Sequence, residues 1–419
     1  MARVLILSPA FPLPLQSGGQ VRLYQVIKYL AGKGHRVSLL SFLLPEHETQ
    51  VEKIRALCHR VECVPGRLES SLAARVRGHL GPSGLRRLLA KARLFLGGAP
   101  YQYVRFAHPE MTRRLRRLMA AEDFDFVQAE YSQMASYLTD PAVRGSRART
   151  LLVEIDVSFV AGERTVRQTR GLPRLLHRLD TARMRSYHRR VLPGVFRVVA
   201  MSEEDARILE GLYPEAVVCV APNGVDVEEF PFSRGGSQAR ENLLFVGGSG
   251  HPPNVDAMEF FSRQILPLLQ QEFPDLCLTV VGNFENRPGQ YPPALRFPGF
   301  VDDLKPSLAG HAVSVVPLRI GSGTRLKILE SFAAGIPVVS TRVGAEGIRA
   351  EHGRDILLAD TPEDFSRAVV SLLRDPELAN RIALGGRRTA VEVYAWDRVL
   401  SPLDLLYREA APGGQDGRL

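Results

Sequence analysis

Between Pro317 and Thr341 the chain reads PLRIGSGTRLKILESFAAGIPVVST, which sets Arg319, Arg325, Lys327 and Glu330 around a glycine-rich turn. Gly321, Ser322 and Gly323 permit tight backbone turns, and Thr324 is a good helix N-cap. The unbonded N–H groups of the helix predicted after it favour a negative ligand. Arg325 and Lys327 add full charges at that end. Along the helix Thr324, Lys327, Glu330 and Ser331 recur at three- and four-residue steps as a polar stripe turned to a cleft. Leu326, Ile328, Leu329, Phe332 and Ala333 form the apolar side. Glu330 lies roughly 9 Å past the cap at 1.5 Å per residue, so it can accept hydrogen bonds from sugar hydroxyls while phosphates sit at the helix start. A diphosphate joined to a ribose has that reach, so Arg319, Ser322, Gly323, Thr324, Lys327 and Glu330 are read as a nucleotide-diphosphate seat.

Other turns carry weaker signals of the same kind. Gly18 and Gly19 follow a first apolar run and precede a helix, where backbone can approach a phosphate or an acceptor; the alternative is an ordinary strand-to-helix turn. They complete no GxGxxG fingerprint, which argues against a nicotinamide enzyme. Gly247 and Gly248 end a later run and line a second wall of the cleft at the phosphate seat, or serve simply as a turn. Asn254 reads as an N-cap for the following helix. Glu154 and Asp156 alternate at the end of a run and share one face, but no DxD-type motif lies near the phosphate seat, and no metal is expected.

The elements that must position these residues alternate. Arg3 to Ser8 and Arg36 to Phe42 read as strands around a helix from Gln20 to Lys33. Phe124 to Ala129, Thr150 to Ile155, Arg197 to Met201 and Ala216 to Ala221 add short buried runs. After Asn223 apolar periodicity is lost. A second alternation then brings strands at Asn242 to Val246, Leu276 to Val281, Ala312 to Pro317 and Pro337 to Thr341, with a helix from Val255 to Glu272. The pattern predicts an α/β protein of two Rossmann-like, doubly wound parallel-sheet domains facing a central cleft. Their expected bounds are 1–225 joined by a returning helix over 391–411, a linker over 226–241, and 242–390.

Composition agrees. A chain of 419 residues that is 45% hydrophobic can bury more than one core. It has no run of 18 apolar residues, and Pro9, Pro12 and Pro14 interrupt the first apolar stretch, which favours a buried strand over a secretory signal. Cys58, Cys63, Cys219 and Cys277 are scattered and match no ordinary zinc or redox spacing, so they are expected as reduced thiols in the cytoplasm. The net charge of +9 gathers in the first half. Seven Lys or Arg stand against the single acid Glu69 between Arg67 and Arg93, interleaved with leucines, and Arg113 to Arg117 and Arg164 to Arg190 continue the pattern. Such stretches are either solvated arginine-rich helix faces or attachments to anionic lipid head groups. Few aromatics accompany them, and no RNA or DNA module is recognisable, which disfavours nucleic acid.

The phosphate-seat segment resembles the donor site of GT-B glycosyltransferases, specifically the retaining group called family 4. Met1 to Phe42 is similar to the family's opening strand, glycine loop, helix and strand; VAPNGVD at Val220 to Asp226 to its interdomain signature; and Trp396 to Tyr407 to its terminal helix. GSGTRLKILE, PNGVD and FVGGSGHPPNVDA in combination resemble a subgroup found in bacterial exopolysaccharide clusters. The resemblance implies transfer of a sugar from a nucleotide-diphosphate sugar to a glycan or polyprenyl-linked hydroxyl, with retention and without a bound metal or other cofactor. Together with the basic stretches and the lack of a long apolar run, it leads to the expectation of a cytoplasmic protein, peripheral at the inner face of the plasma membrane. The family's first glutamate is replaced by Ser322, and its Arg and Lys after FVG by Gly248 and Ser249. Arg319, Arg325 and Lys327 are then the cations available to a leaving diphosphate, with Lys327 and Arg325 expected to act in catalysis. Where relatives carry a His near the reacting carbon this chain offers Glu130, which either orients or deprotonates the acceptor hydroxyl or pairs with one of the many arginines. The departures leave a non-catalytic nucleotide or glycan-assembly binder, and a same-fold epimerase or phosphorylase, as alternatives.

Overall fold

The computed structural model describes residues 1–66, 98–155, 157, 159–160, 162–163, 166, 170–230, 232, 242–284, 290–321 and 325–409. The basic stretch from Arg67 to Arg93, Asp156, the residues Ser322, Gly323 and Thr324, most of the expected linker and the tail from Pro412 lie outside them.

Short runs of Val, Leu and Ile, buried on both faces, build two all-parallel sheets, as the near-continuous apolar patterns require. The first runs β3-β2-β1-β4-β5-β6-β7: β1 is Arg3–Ser8, β2 Arg36–Leu43, β3 Arg60–Pro65, β4 Phe126–Glu130, β5 Arg149–Glu154, β6 Arg197–Ala200 and β7 Val218–Val220. The second runs β10-β9-β8-β11-β12-β13: β8 is Asn242–Val246, β9 Cys277–Val281, β10 Leu295–Gly299, β11 Val313–Val316, β12 Val338–Ser340 and β13 Leu357–Leu358. Three strands that periodicity missed, β3, β10 and β13, are all sheet edges. Edge strands bury less and need no continuous apolar run; β10 even admits Pro298 beside a register shift.

The longer helices among the described residues are α1 (Gly18–Gly32), α2 (Pro109–Ala121), α3 (Gly171–Val191), α4 (Glu203–Leu212), α5 (Pro252–Phe260), α6 (Leu326–Ala334), α7 (Pro362–Arg374), α8 (Pro376–Glu392) and α9 (Ser401–Glu409). The single helix expected over 255–272 is instead α5, a wider turn at Phe261–Ile265 and a second piece at Leu266–Glu272. Pro267 has no N–H to give the preceding turn, and a wide turn just before it accommodates the ring.

The chain divides into two compact units, Met1–Ala221 with Leu400–Leu419, and Pro222–Val399. The sequence placed these divisions at 225 and 391. Local packing explains the shift: Val225 N–H donates to Tyr394 O at 2.8 Å and pairs with Ala395, while Gly224 lies against the Trp396 ring, so PNGVD and residues 394–396 belong together. Arg387 on α8 reinforces this, donating to the carbonyls of Val227, Phe230 and Ala333. The returning segment that joins the first unit is α9. His35 lies 2.8 Å from Asp404, and the Tyr407 hydroxyl donates to Gln128 beneath β4. No helix among the described residues is long and apolar enough to cross a membrane. All four cysteines are free and half-buried. Burial pushes the Cys58 thiol up to about 12 and those of Cys63 and Cys219 to about 11, so they are poor nucleophiles.

Candidate functional site

In each sheet the strand order reverses once, between β1 and β4 and between β8 and β11. Ligands of open parallel sheets bind outside the carboxyl ends of strands at such points. The sequence-derived residues fall at both.

In the second unit, β8 runs into Gly247 and Gly248, and β11 into Pro317–Gly321 ahead of α6. The glycines have packing reasons. A Cβ on Gly247 would come 2.7 Å from Asn254 Nδ2, and one on Gly248 2.8 Å from Asn283 O. Asn254 is not a cap; it lies inside the first turn of α5, buried, donating through Nδ2 to Gly248 O at 2.9 Å. Its Oδ1 accepts from Lys327 Nζ at 3.0 Å, and that ammonium stands 4.1 Å from the centre of the buried Phe245 ring on β8. Lys327 is therefore aimed by an amide and an aromatic face. Burial, and then Arg325, pull its pKa down to about 7.

The start of α6 differs from the expectation. Arg325, in extended backbone, holds the N-cap position that Thr324 was expected to hold, and makes no side-chain cap. Its guanidinium is nearly buried and packs over Gly321, where a Cβ would meet Nη2 at 2.7 Å at a φ of +123°. Glu330 sits one turn beyond Lys327, half-buried, its pKa raised to about 7 by burial against the opposing pull of Lys327. Ser331 leaves the polar stripe: it is fully buried, donates to Lys327 O, and has its Oγ 2.8 Å from Ser314 Oγ on β11. Its spacing suited the stripe, but the small hydroxyl is satisfied inside the sheet contact. Arg319 forms a two-pronged pair with Asp256 on α5, 3.1 and 2.6 Å, over the Phe260 ring. Sequence reading also passed over His251, which precedes Pro252; local desolvation, Arg325 and Lys327 lower its pKa to about 4. Two cations, an amide and a carboxylate thus converge beside a helix start, an arrangement suited to an anion with a hydroxyl-bearing group behind it.

In the first unit, Ser17 caps α1 and Gly18 and Gly19 begin it. The space over Gly19 is filled: a Cβ there would lie 1.6 Å from the Tyr131 hydroxyl. Tyr131, just past β4, has a φ of +65°, sparsely populated for a bulky residue and with no sign in the sequence. Glu130 is 1% exposed, bonded to Gln128 and in the field of the equally buried Arg22 of α1. Burial raises the Glu130 pKa, with Arg22 and Gln128 opposing. Burial also lowers that of Arg22, which Glu130 holds up. Glu154, expected beside Asp156, is buried with Ser132 and His188 of α3; His188 Nε2 lies 2.8 Å from Glu154 Oε1 and 2.9 Å from Ser132 Oγ, and Nδ1 is 2.8 Å from Met184 O. Burial works against a charged ring, but the Glu154 carboxylate and the bonds to Glu154 and Met184 O outweigh it and hold the His188 pKa above its ordinary value.

A model of glycosyltransferase family 4 matches residues 16–229, and one of glycosyl transferases group 1 matches residues 240–375. An uncharacterized 44.6 kDa protein in the cps region of Klebsiella pneumoniae is 24% identical over 185 residues, 39% of this chain and 45% of that protein. An MMP alpha-(1->4)-mannosyltransferase of Mycolicibacterium hassiacum is 32% identical over 113 residues, 26% of this chain and 27% of that one. These matches span less than half the length of either relative. Among solved structures, Anabaena HepE in complex with UDP and glucose superposes with a TM-score of 0.64 at 14% identity, covering 97% of this chain and 100% of that one. With half of its residues matched by the family model and two doubly wound parallel sheets in the order the fold demands, the chain belongs to glycosyltransferase family 4 and has the GT-B fold.

Proposed function

We propose that this glycosyltransferase moves a sugar from a nucleotide-diphosphate sugar to a hydroxyl of a glycan or polyprenyl-linked acceptor, with retention, in cell-surface polysaccharide synthesis on the cytoplasmic side of the membrane. The observation that carries the donor reading is Lys327, a half-buried ammonium fixed by Asn254 and Phe245 beside Arg325 and one turn from Glu330. Arg325 and Lys327 bind the diphosphate, and Glu330 accepts from the ribose hydroxyls. As the sugar–phosphate bond breaks, negative charge grows on the diphosphate. Lys327 gains most at that moment, because binding a polyanion restores a proton that desolvation disfavours in the empty site. Fixed cations and the α6 amino end then do the work of a divalent ion. The departing diphosphate assists attack by the acceptor on the same face. Arg319, tied to Asp256, shapes the rim. Glu130 acts through the Arg22 and Gln128 network, setting the exit of β4, rather than by touching the acceptor. The relatives in a cps region and in complex with UDP and glucose support this reading.

The test is binding of a panel of nucleoside diphosphates and their sugar conjugates to wild type, Lys327→Ala and Glu330→Ala, without added metal and at two salt concentrations. One nucleotide preferred at both, weakened by both substitutions, is expected. Affinity that vanishes with salt and ignores both substitutions would leave a non-catalytic fold.

A further inference from the structure

Helix α3 has two dissimilar halves. From Thr181 onward it is anchored: Thr181, Met184, Tyr187, His188 and Val191 are each less than a tenth exposed. From Gly171 to Leu179 no described side chain is buried, although Leu175, Leu176 and Leu179 lie there at 53, 58 and 55% exposure. At about 100° per residue these three leucines span an arc of about 100°, and its centre lies about 130° from that of the anchored stripe. The leucine face therefore points away from the unit's core. A helical stretch whose described side chains stay exposed gains little from packing, so a covering surface would complete it.

Charge identifies that surface. Seven arginines and one acid, Asp180, occupy Arg170 to Arg190. At the same rotation per residue, exposed Arg178 and Arg174 lie about 60° and about 100° beyond one edge of the leucine arc, both on the same side. A second copy of this chain would bring like charges together, whereas anionic lipid supplies the opposite charge and an apolar layer beneath it. We infer that the amino-terminal half of α3 docks on an anionic lipid surface, with Leu175, Leu176 and Leu179 entering the acyl boundary and Arg174 and Arg178 at the phosphates. Long arginine stems suit this, since they lie along apolar surface with the head group in the polar layer. The docking is independent of the donor seat and stands whether or not sugar transfer does.

Flotation of the full chain with vesicles of phosphatidylcholine alone and of phosphatidylcholine with phosphatidylglycerol tests it, using the triple variant Leu175→Ser/Leu176→Ser/Leu179→Ser and the double variant Arg174→Gln/Arg178→Gln. Wild type is expected to float with the mixed vesicles only, and each variant to lose at least about tenfold in partitioning. Unchanged nucleotide binding and thermal melting would show that the exposed substitutions leave the fold intact. Should the triple variant fail to fold, Leu176→Trp replaces it: its emission is expected to shift to the blue with mixed vesicles, beyond any change shown by wild type. Partitioning that ignores both variants, no flotation of wild type, an unshifted Leu176→Trp, or a wild-type dimer that the serine variant dissolves would each overturn the inference.

Discussion

Both units set a carboxylate near a cation at the point where strand order reverses, Glu130 with Arg22 and Glu330 with Lys327, yet the surroundings differ. Glu130 and Arg22 are each 1% exposed, and Glu130 is bonded to Gln128, itself held by Tyr407 from α9. Lys327 and Glu330 are only half-buried, and both have pKa values near 7. The first pair is closed within its own unit. The second carries groups that sit close to half-protonated at neutral pH. A sealed pair fixes a shape, while an unsealed one is available for binding.

That contrast is open to direct attack. Arg22→Met should produce the largest effect, a loss of about 3–5 kcal/mol in chemical denaturation, because the buried Glu130 carboxyl would lose the cation that offsets its desolvation. Adding Glu130→Leu should recover part of the loss, and nucleotide binding by the folded fraction should stay at the wild-type level. An additive double variant would show that the two do not function as a pair. Lys327→Ala should reverse the pattern, lowering kcat/KM about 10²- to 10³-fold with the melting temperature nearly kept. A Lys327→Ala protein that melts early but turns over normally would make the second pair structural as well.

Gly19→Ala should come next, costing about 1–3 kcal/mol by overpacking against Tyr131. In a Tyr131→Ala background the same change should cost almost nothing, and an undiminished cost would mean that Gly19 answers to something other than the phenol. The smallest effect is a slope. His188 is raised above its ordinary value of 6.5 by Glu154, so the stability it contributes is complete below that value and is lost as pH rises through the folded pKa. Melting temperature should decline from near neutral pH upward, and His188→Gln should flatten that decline.

How much of this can be read from sequence depends on distance along the chain. Lys327 and Glu330 share one helix, and local spacing finds both. The Asn254 to Lys327 bond joins residues 73 positions apart, and only the β8–β11 pairing brings them together. Ser331 has the right spacing and the wrong neighbour, because periodicity cannot tell a ligand-facing hydroxyl from one bonded to Ser314. Glu130 is visible as an acid at a strand end, but its partner Arg22 lies more than a hundred residues earlier and reads as an ordinary helical arginine. Central strands announce themselves through apolar runs; β3, β10 and β13 do not, since an edge is half wet. The left-handed backbone at Tyr131 has no residue signature, as glycine or asparagine would have supplied.

The contact between Tyr407 and Gln128 spans 279 positions, and all of the second unit lies between them. On the ribosome, β4 is synthesised long before the helix that seals its underside, so the second unit can form while the first still lacks its closing piece. A chain released ahead of Ser401 should carry an intact second unit and a loosened first unit. Proteases would then find their first sites near β4, far from the break itself.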